Sequence, residues 1–205
     1  MIPIFEALFI LVLDDEGYIV ESAEKNLESA LAGAVLAELV FQQRIELKDD
    51  RVVAVNQLPT ECPILDTALS NILDAARSRK LRHWLNALSD KKLLEEIGQF
   101  LVEERVLVRK KKRLYLATLD GRDSVKSRLK SRLQEIILDN QEPDLREKTL
   151  LAFLEYADLF KLIFSHRERK IAQKRIQKLI ADDEARNDLD MSLNEIVSAA
   201  CELER

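Results

Sequence analysis

Cysteine, histidine, glycine and proline are all scarce in this sequence. The two cysteines, Cys62 and Cys201, stand far apart. They give neither a disulfide framework nor the paired spacing of a zinc site, and read as buried, reduced thiols. Two histidines, His83 and His166, exclude a His-rich metal constellation. Four glycines leave no Gly-rich phosphate loop, and the GxSxG and HExxH patterns are absent. The apolar run that ends at Leu13 follows Glu6 closely. It is too short to span a bilayer and lacks the basic start of a signal peptide. These absences point to a non-enzymatic cytoplasmic chain that needs no cofactor.

What is present is Leu, Ala, Glu, Lys and Arg, and a composition of that kind over 205 residues favours helices and allows a sizeable core. The expected fold is mainly α, one globular domain over 1–205, with about eight helices around a central apolar helix and two short β-hairpins. The central helix, at about 25–44, is apolar on nearly every side from Ala30 to Phe41. A helix without a polar face is one that other elements surround. Its small residues Ala32, Gly33, Ala34 and Ala37 allow neighbours to approach its axis. Glu38, set among these apolar residues, is the one carboxylate placed to act as a general acid; it reads better as the partner of an arginine or of backbone amides.

The other helices follow from apolar spacing and capping signals. Phe5, Leu8, Phe9 and Val12 form an opening helix that ends at the Asp14-Asp15-Glu16-Gly17 turn. Cys62-Pro63 opens an amphipathic helix, and 79–88 forms a shorter one that buries Trp84 and leaves His83 in solvent. Asp90 caps a helix to about 105, and Asp123-Ser124 starts one to about 140. A long apolar helix covers 145–164. An amphipathic helix at 166–180 turns Ile171, Ile176, Leu179 and Ile180 inward. An acidic linker at 181–190 then precedes a last helix that Ser192 and Glu195 cap.

Ile45-Glu46-Leu47 and Val52-Val53 read as one hairpin. Val106-Leu107-Val108 and Leu114-Tyr115-Leu116 read as another, around Arg109-Lys110-Lys111-Lys112-Arg113. The two helix-then-hairpin units align with Arg44 matched to Arg105. Their tips differ in sign, acidic in the first and strongly basic in the second.

A net charge of −5 conceals this asymmetry. Residues 1–76 carry 14 acids against 4 bases, 77–132 carry 17 bases against 7 acids, and 133–205 carry 16 acids against 11 bases. A basic middle in an acidic protein suggests one face for anionic partners; mutual neutralisation within the fold is the plainer alternative.

Seven stretches, in order, resemble the Golgi phosphoprotein 3 family: EALFILVLDDEGY (6–18), LAGAVLAELVFQQRIEL (31–47), LPTECPILDTAL (58–69), HWLNALS (83–89), FLVEERVLVRKKKRLYL (100–116), VKSRLKSRLQEIILD (125–139) and LLAFLEYADLFKLIF (150–164). The resemblance implies a helical, non-catalytic domain. It further implies a peripheral membrane adaptor that binds phosphatidylinositol 4-phosphate and glycosyltransferase tails, and uses the 106–116 hairpin for membrane contact and self-association. Carried over residue by residue, the family's lipid pocket is mostly lost. Its central-helix arginine falls on Ala32, its tryptophan within 21–25 where there is no aromatic, and its later arginine pair on Lys91 and Leu94. These losses favour a bacterial over a Golgi setting and a weak or altered contact with anionic lipid headgroups, phosphoinositides among them. The residues expected to make it are Lys91, Arg109, Lys110, Lys111, Lys112, Arg113, Lys126, Arg128 and Lys130, with about 1 kcal/mol from each base near an anionic surface.

Two other readings stay open. Helix-then-hairpin repeated twice is what tandem winged-helix modules look like, although Glu95, Glu96, Glu103 and Glu104 before the basic hairpin would repel nucleic-acid phosphates. A protein-binding oligomeric scaffold, with the acidic N-terminal third facing a basic partner, is the other.

Overall fold

A computed structural model of the chain describes residues 2–24, 26–111, 113–116, 124–181 and 188–203. Helix α1 (Ile4–Val12) is buried at every position but Glu6. Single-turn α2 (Glu21–Glu24) leads to α3 (Leu27–Phe41), buried from Ser29 to Val40. Helix α3 is the expected central apolar helix, and α1 is enclosed by its neighbours as well. Helix α1 packs along α3, and α10 (Asp188–Glu202) packs on another side of it. At Gly33 an added Cβ would lie 2.8 Å from both Ala200 Cβ and a Phe153 ring carbon, so glycine sets how near α10 and α8 (Leu145–Tyr156) come.

After α3 come β1 (Ile45–Lys48) and β2 (Arg51–Ala54), joined by a two-residue turn in which Asp49 and Asp50 both take positive φ. Next is α4 (Pro63–Leu73). The expected helix at 79–88 divides: Arg79–Lys80 is β3, a third strand paired with Arg51 and Val52, and α5 (Leu81–Leu88) starts after it. The side chains that reach the core are Leu81, Trp84 and Leu85, with Leu88 half-buried against it, so the helical spacing begins at Leu81. Trp84 is buried and His83 exposed, its ring edge-on to Trp84 at 5.1 Å.

Helix α6 (Lys91–Glu103) is capped by Asp90, which accepts from the Leu93 amide at 2.7 Å. Its C-terminus and that of α3 share one device. Arg105 and Gln43 take positive φ, and the following amides, Val106 and Arg44, bond back to Leu101 and Leu39. Strands β4 (Leu107–Lys110) and β5 (Arg113–Leu116) then repeat β1 and β2 at an offset of 62 residues. The structural match of Arg105 is thus Gln43 and not Arg44, one residue from the register that the side chains suggest.

Helices α7 (Val125–Leu138), capped by Ser124, and α8, closed by a full capping box between Asp144 and Glu147, follow. The long helix expected at 145–164 ends at Tyr156. Asp158 takes positive φ, the Leu159 amide bonds to Leu154, and Phe160–Leu162 forms a 3-10 turn. Buried apolar residues continue across the break at Leu154, Ala157, Leu159 and Phe160, so hydrophobicity does not mark it. In α9 (His166–Ala181) the inward stripe is Ala172, Ile176 and Leu179; Ile171, one residue out of step, is 56% exposed, and the side chain of Ile180 lies outside the described residues. The last helix begins at Asp188, so Ser192 lies inside it and not at its cap position; of the expected linker, 188–190 are helical and 182–187 lie outside the described residues. Leu193, Ile196, Val197 and Ala200 extend its apolar stripe against α3 and α8.

Candidate functional site: the basic hairpin and its seat

The turn after α1 is built on Asp14. Its carboxylate accepts from the Glu16 and Tyr18 amides, both at 2.9 Å, and Leu13 pairs with Ile19 across the turn. The basic hairpin rests on this turn. The Leu114 amide donates to the Gly17 carbonyl at 3.1 Å, and the Arg113 guanidinium stacks 4.3 Å from the centre of the Tyr18 ring. The tip projects beyond this seat, with Arg109, Lys110 and Lys111 exposed. Lys112 lies outside the described residues.

The other expected cations divide between surface and interior. Arg128 is exposed and Lys130 half-buried on α7. Lys126 turns inward instead, its ammonium donating to the Leu13 carbonyl. Burial pushes that ammonium below the usual lysine range and Lys130 adds to the effect, while Asp15 and Asp14 oppose it. The N-terminus of α7 and the hairpin therefore meet the acidic turn from separate directions, which accounts for part of the segmental charge by neutralisation. Lys91, at the start of α6, is exposed.

Between α1, α6, the turn and β5 lies a cavity of about 570 Å³. Phe9, Leu13, Ile19, Leu94 and Leu114 give it an apolar lining, and Arg109 and Glu95 contribute one charge of each sign. Gly98 keeps it open, since a Cβ there would come within 3.0 Å of Leu114 Cδ1 and 3.1 Å of Phe9 Cζ. Leu94, one of the three positions where the resemblance expects a pocket arginine, lines this cavity as a hydrocarbon. Ala32 is fully buried in α3. Glu38 is buried too. One of its oxygens accepts from the Ile4 amide at 2.9 Å and the pair is bridged by Arg146, whose Nη2 lies 3.1 Å from the other oxygen. It joins α1, α3 and α8 as a structural group.

The profile of the family described as Golgi phosphoprotein 3 (GPP34) matches residues 4–200, from the first turn of α1 into α10. The chain belongs to the Golgi phosphoprotein 3 family. The match takes in the acidic turn, the basic hairpin and the cavity between them. Among the described residues no helix is long and apolar enough to cross a membrane. Sequence reading located the hairpin and missed a second cationic cluster at Arg51, Arg77, Arg79, Lys80 and His83. It placed Arg79 and Lys80 on a helix, and a two-residue strand leaves no periodic signal.

Proposed function

We propose that this protein is a non-enzymatic, Golgi-phosphoprotein-like adaptor that meets anionic membrane surfaces through its second hairpin. Arg109, Lys110, Lys111 and Arg113, with Lys112, supply the contact, and Arg128, Lys130 and Lys91 add to the surrounding field. The observation that carries this reading is the seating of the hairpin. Gly17 and Tyr18 hold β5 by a backbone bond and a stacked guanidinium, while the cationic tip is presented to solvent. A held, charged tip reaches a surface without the ordering cost of a loose loop. Family membership supports the adaptor role. The cavity has a single cation in its lining, Arg109, which favours a general response to negative charge over recognition of one headgroup, since that needs several converging donors.

Sedimentation with phosphatidylserine-rich and with pure phosphatidylcholine vesicles tests the reading. Binding is expected only to the former, fading at raised salt. Lys110→Gln, Lys111→Gln and Lys112→Gln together should weaken it by about a hundredfold, at about 1 kcal/mol per charge. Undiminished binding of that triple variant overturns the proposal. Self-association through the same hairpin is a second reading. Val108 on β4 is 42% exposed, and among the described residues this sheet has two strands, so the β4 edge can offer backbone to another copy. Native mass of the wild type against Val108→Lys decides it.

A further inference from the structure

The three-stranded sheet carries a site of its own. Arg51 on β2, Arg77 between α4 and β3, Arg79 and Lys80 on β3, and His83 on α5 surround one cleft of about 330 Å³. Its lining contains no carboxylate. The strand register sets Arg51 directly opposite Lys80, a like-charge pairing that an antiparallel sheet ordinarily avoids.

Local partners account for only part of this charge. Lys80 is ion-paired with Asp50 at 2.9 Å, and Arg51 Nη1 donates to the Ser78 carbonyl at 2.8 Å. Among the described residues, the side chains of Arg77 and Arg79 have neither a hydrogen-bond nor an ion-pair partner. Arg77 is exposed and Arg79 half-buried as a residue, so the donors of both guanidinium groups are left for a ligand. Helix α5 starts at the cleft without a side-chain cap, which adds the positive end of its dipole.

Guanidinium forks match phosphoryl oxygens in shape and charge. The volume is at the small end of ligand sites, about 300–1,000 Å³, enough for a phosphoryl group and a compact body. The one ring in the lining is the His83 imidazole, set edge-on to Trp84, and no Phe, Tyr or Trp is there to stack a base, which disfavours a nucleic-acid strand. We propose that this cleft binds a small phosphorylated anion, with Arg77 and Arg79 as its principal donors. The ligand is a free phosphate ester or the phosphomonoester of a lipid headgroup; the chemistry of recognition is the same. No lining residue is shared with the hairpin or its cavity, so the site is independent of the membrane contact proposed above.

Calorimetric titration of the full chain with pyrophosphate tests the first source. Sedimentation with phosphatidylcholine vesicles containing phosphatidic acid, done in the Lys110→Gln, Lys111→Gln background so that the hairpin does not mask the cleft, tests the second. The variants are Arg77→Gln with Arg79→Gln, and Lys110→Gln with Lys111→Gln as the hairpin control, each checked for an unchanged thermal melt. One-site binding of pyrophosphate is expected, about tenfold or more weaker for each arginine removed and unchanged in the hairpin variant. Binding confined to phosphatidic acid vesicles and lost with Arg77 and Arg79 assigns the site to lipid-borne phosphate. Binding that ignores both arginines, or no binding in either arm, overturns the proposal.

Discussion

Gly17 and Leu114 are in backbone contact, the Leu114 amide donating to the Gly17 carbonyl at 3.1 Å. A Cβ at Gly17 would approach the Leu114 carbonyl oxygen to 2.6 Å. Gly17 also has φ +79°, where side chains are strained. Ala in its place must both adopt that conformation and displace β5. Gly17→Ala should therefore lower stability by about 1–3 kcal/mol and release the hairpin from its seat. Urea denaturation reads the first effect, and faster amide exchange at Leu114 reads the second. An unchanged Leu114 exchange rate would show that the seat does not depend on this glycine.

Much of this arrangement was legible in the sequence. The glycine after three acids, the all-apolar α3 and the basic run between two short apolar strands each have a direct physical meaning. What was not legible has physical reasons too. The break after Tyr156 has buried apolar residues on either side, Leu154 and Leu159, and β3 exists only because Arg51 and Val52 offer an edge at the right place. Of the nine expected contact cations, Lys126 shows the limit most clearly. Spacing put it on an exposed face of α7, and only the position of the α1 C-terminus turns it inward.

The pairing of Glu38 with Arg146 makes a second test. Glu38 is 1% exposed and Arg146 covers it from a side chain that is 37% exposed, stacked 4.7 Å from the Phe41 ring. Arg146→Ala leaves a buried carboxylate with only the Ile4 amide and should cost about 3–5 kcal/mol. Glu38→Gln should restore part of that loss in the double variant, because the two groups share one interaction. Strictly additive losses in a four-point denaturation cycle would show that the pair is not coupled.

Glu6 carries a pH dependence. Burial, then the carboxylates of Glu38 and Glu104, raise its pKa to about 7. The unfolded carboxyl titrates near 4.5. Between those values the folded state holds a proton that the unfolded chain has released, so stability falls as pH rises through the window and levels off above it. The expected loss is about 1–2 kcal/mol, reduced by the solvent that Glu6 still touches. Glu6→Gln should match the wild type near pH 5, exceed it at pH 8, and flatten the denaturation midpoint between them. Burial also raises the pKa of Glu155 and Glu195, so a shallower slope of the same sign remains. An identical pH profile for the variant would remove Glu6 as its source.

Lys126 and Arg128, two residues apart on α7, should separate folding from membrane contact. The Lys126 ammonium holds the Leu13 carbonyl at the end of α1, whereas Arg128 projects into solvent. Lys126→Gln should lower stability by about 1 kcal/mol, the usual contribution of one such bond, and leave sedimentation with anionic vesicles nearly unchanged. Arg128→Gln should do the reverse, leaving the denaturation midpoint in place and weakening vesicle binding by about fivefold, the effect of roughly 1 kcal/mol at the surface. If Lys126→Gln instead weakens vesicle binding at full stability, its ammonium leaves Leu13 when the protein meets a membrane, and the acidic turn must then be rearranged in the bound state.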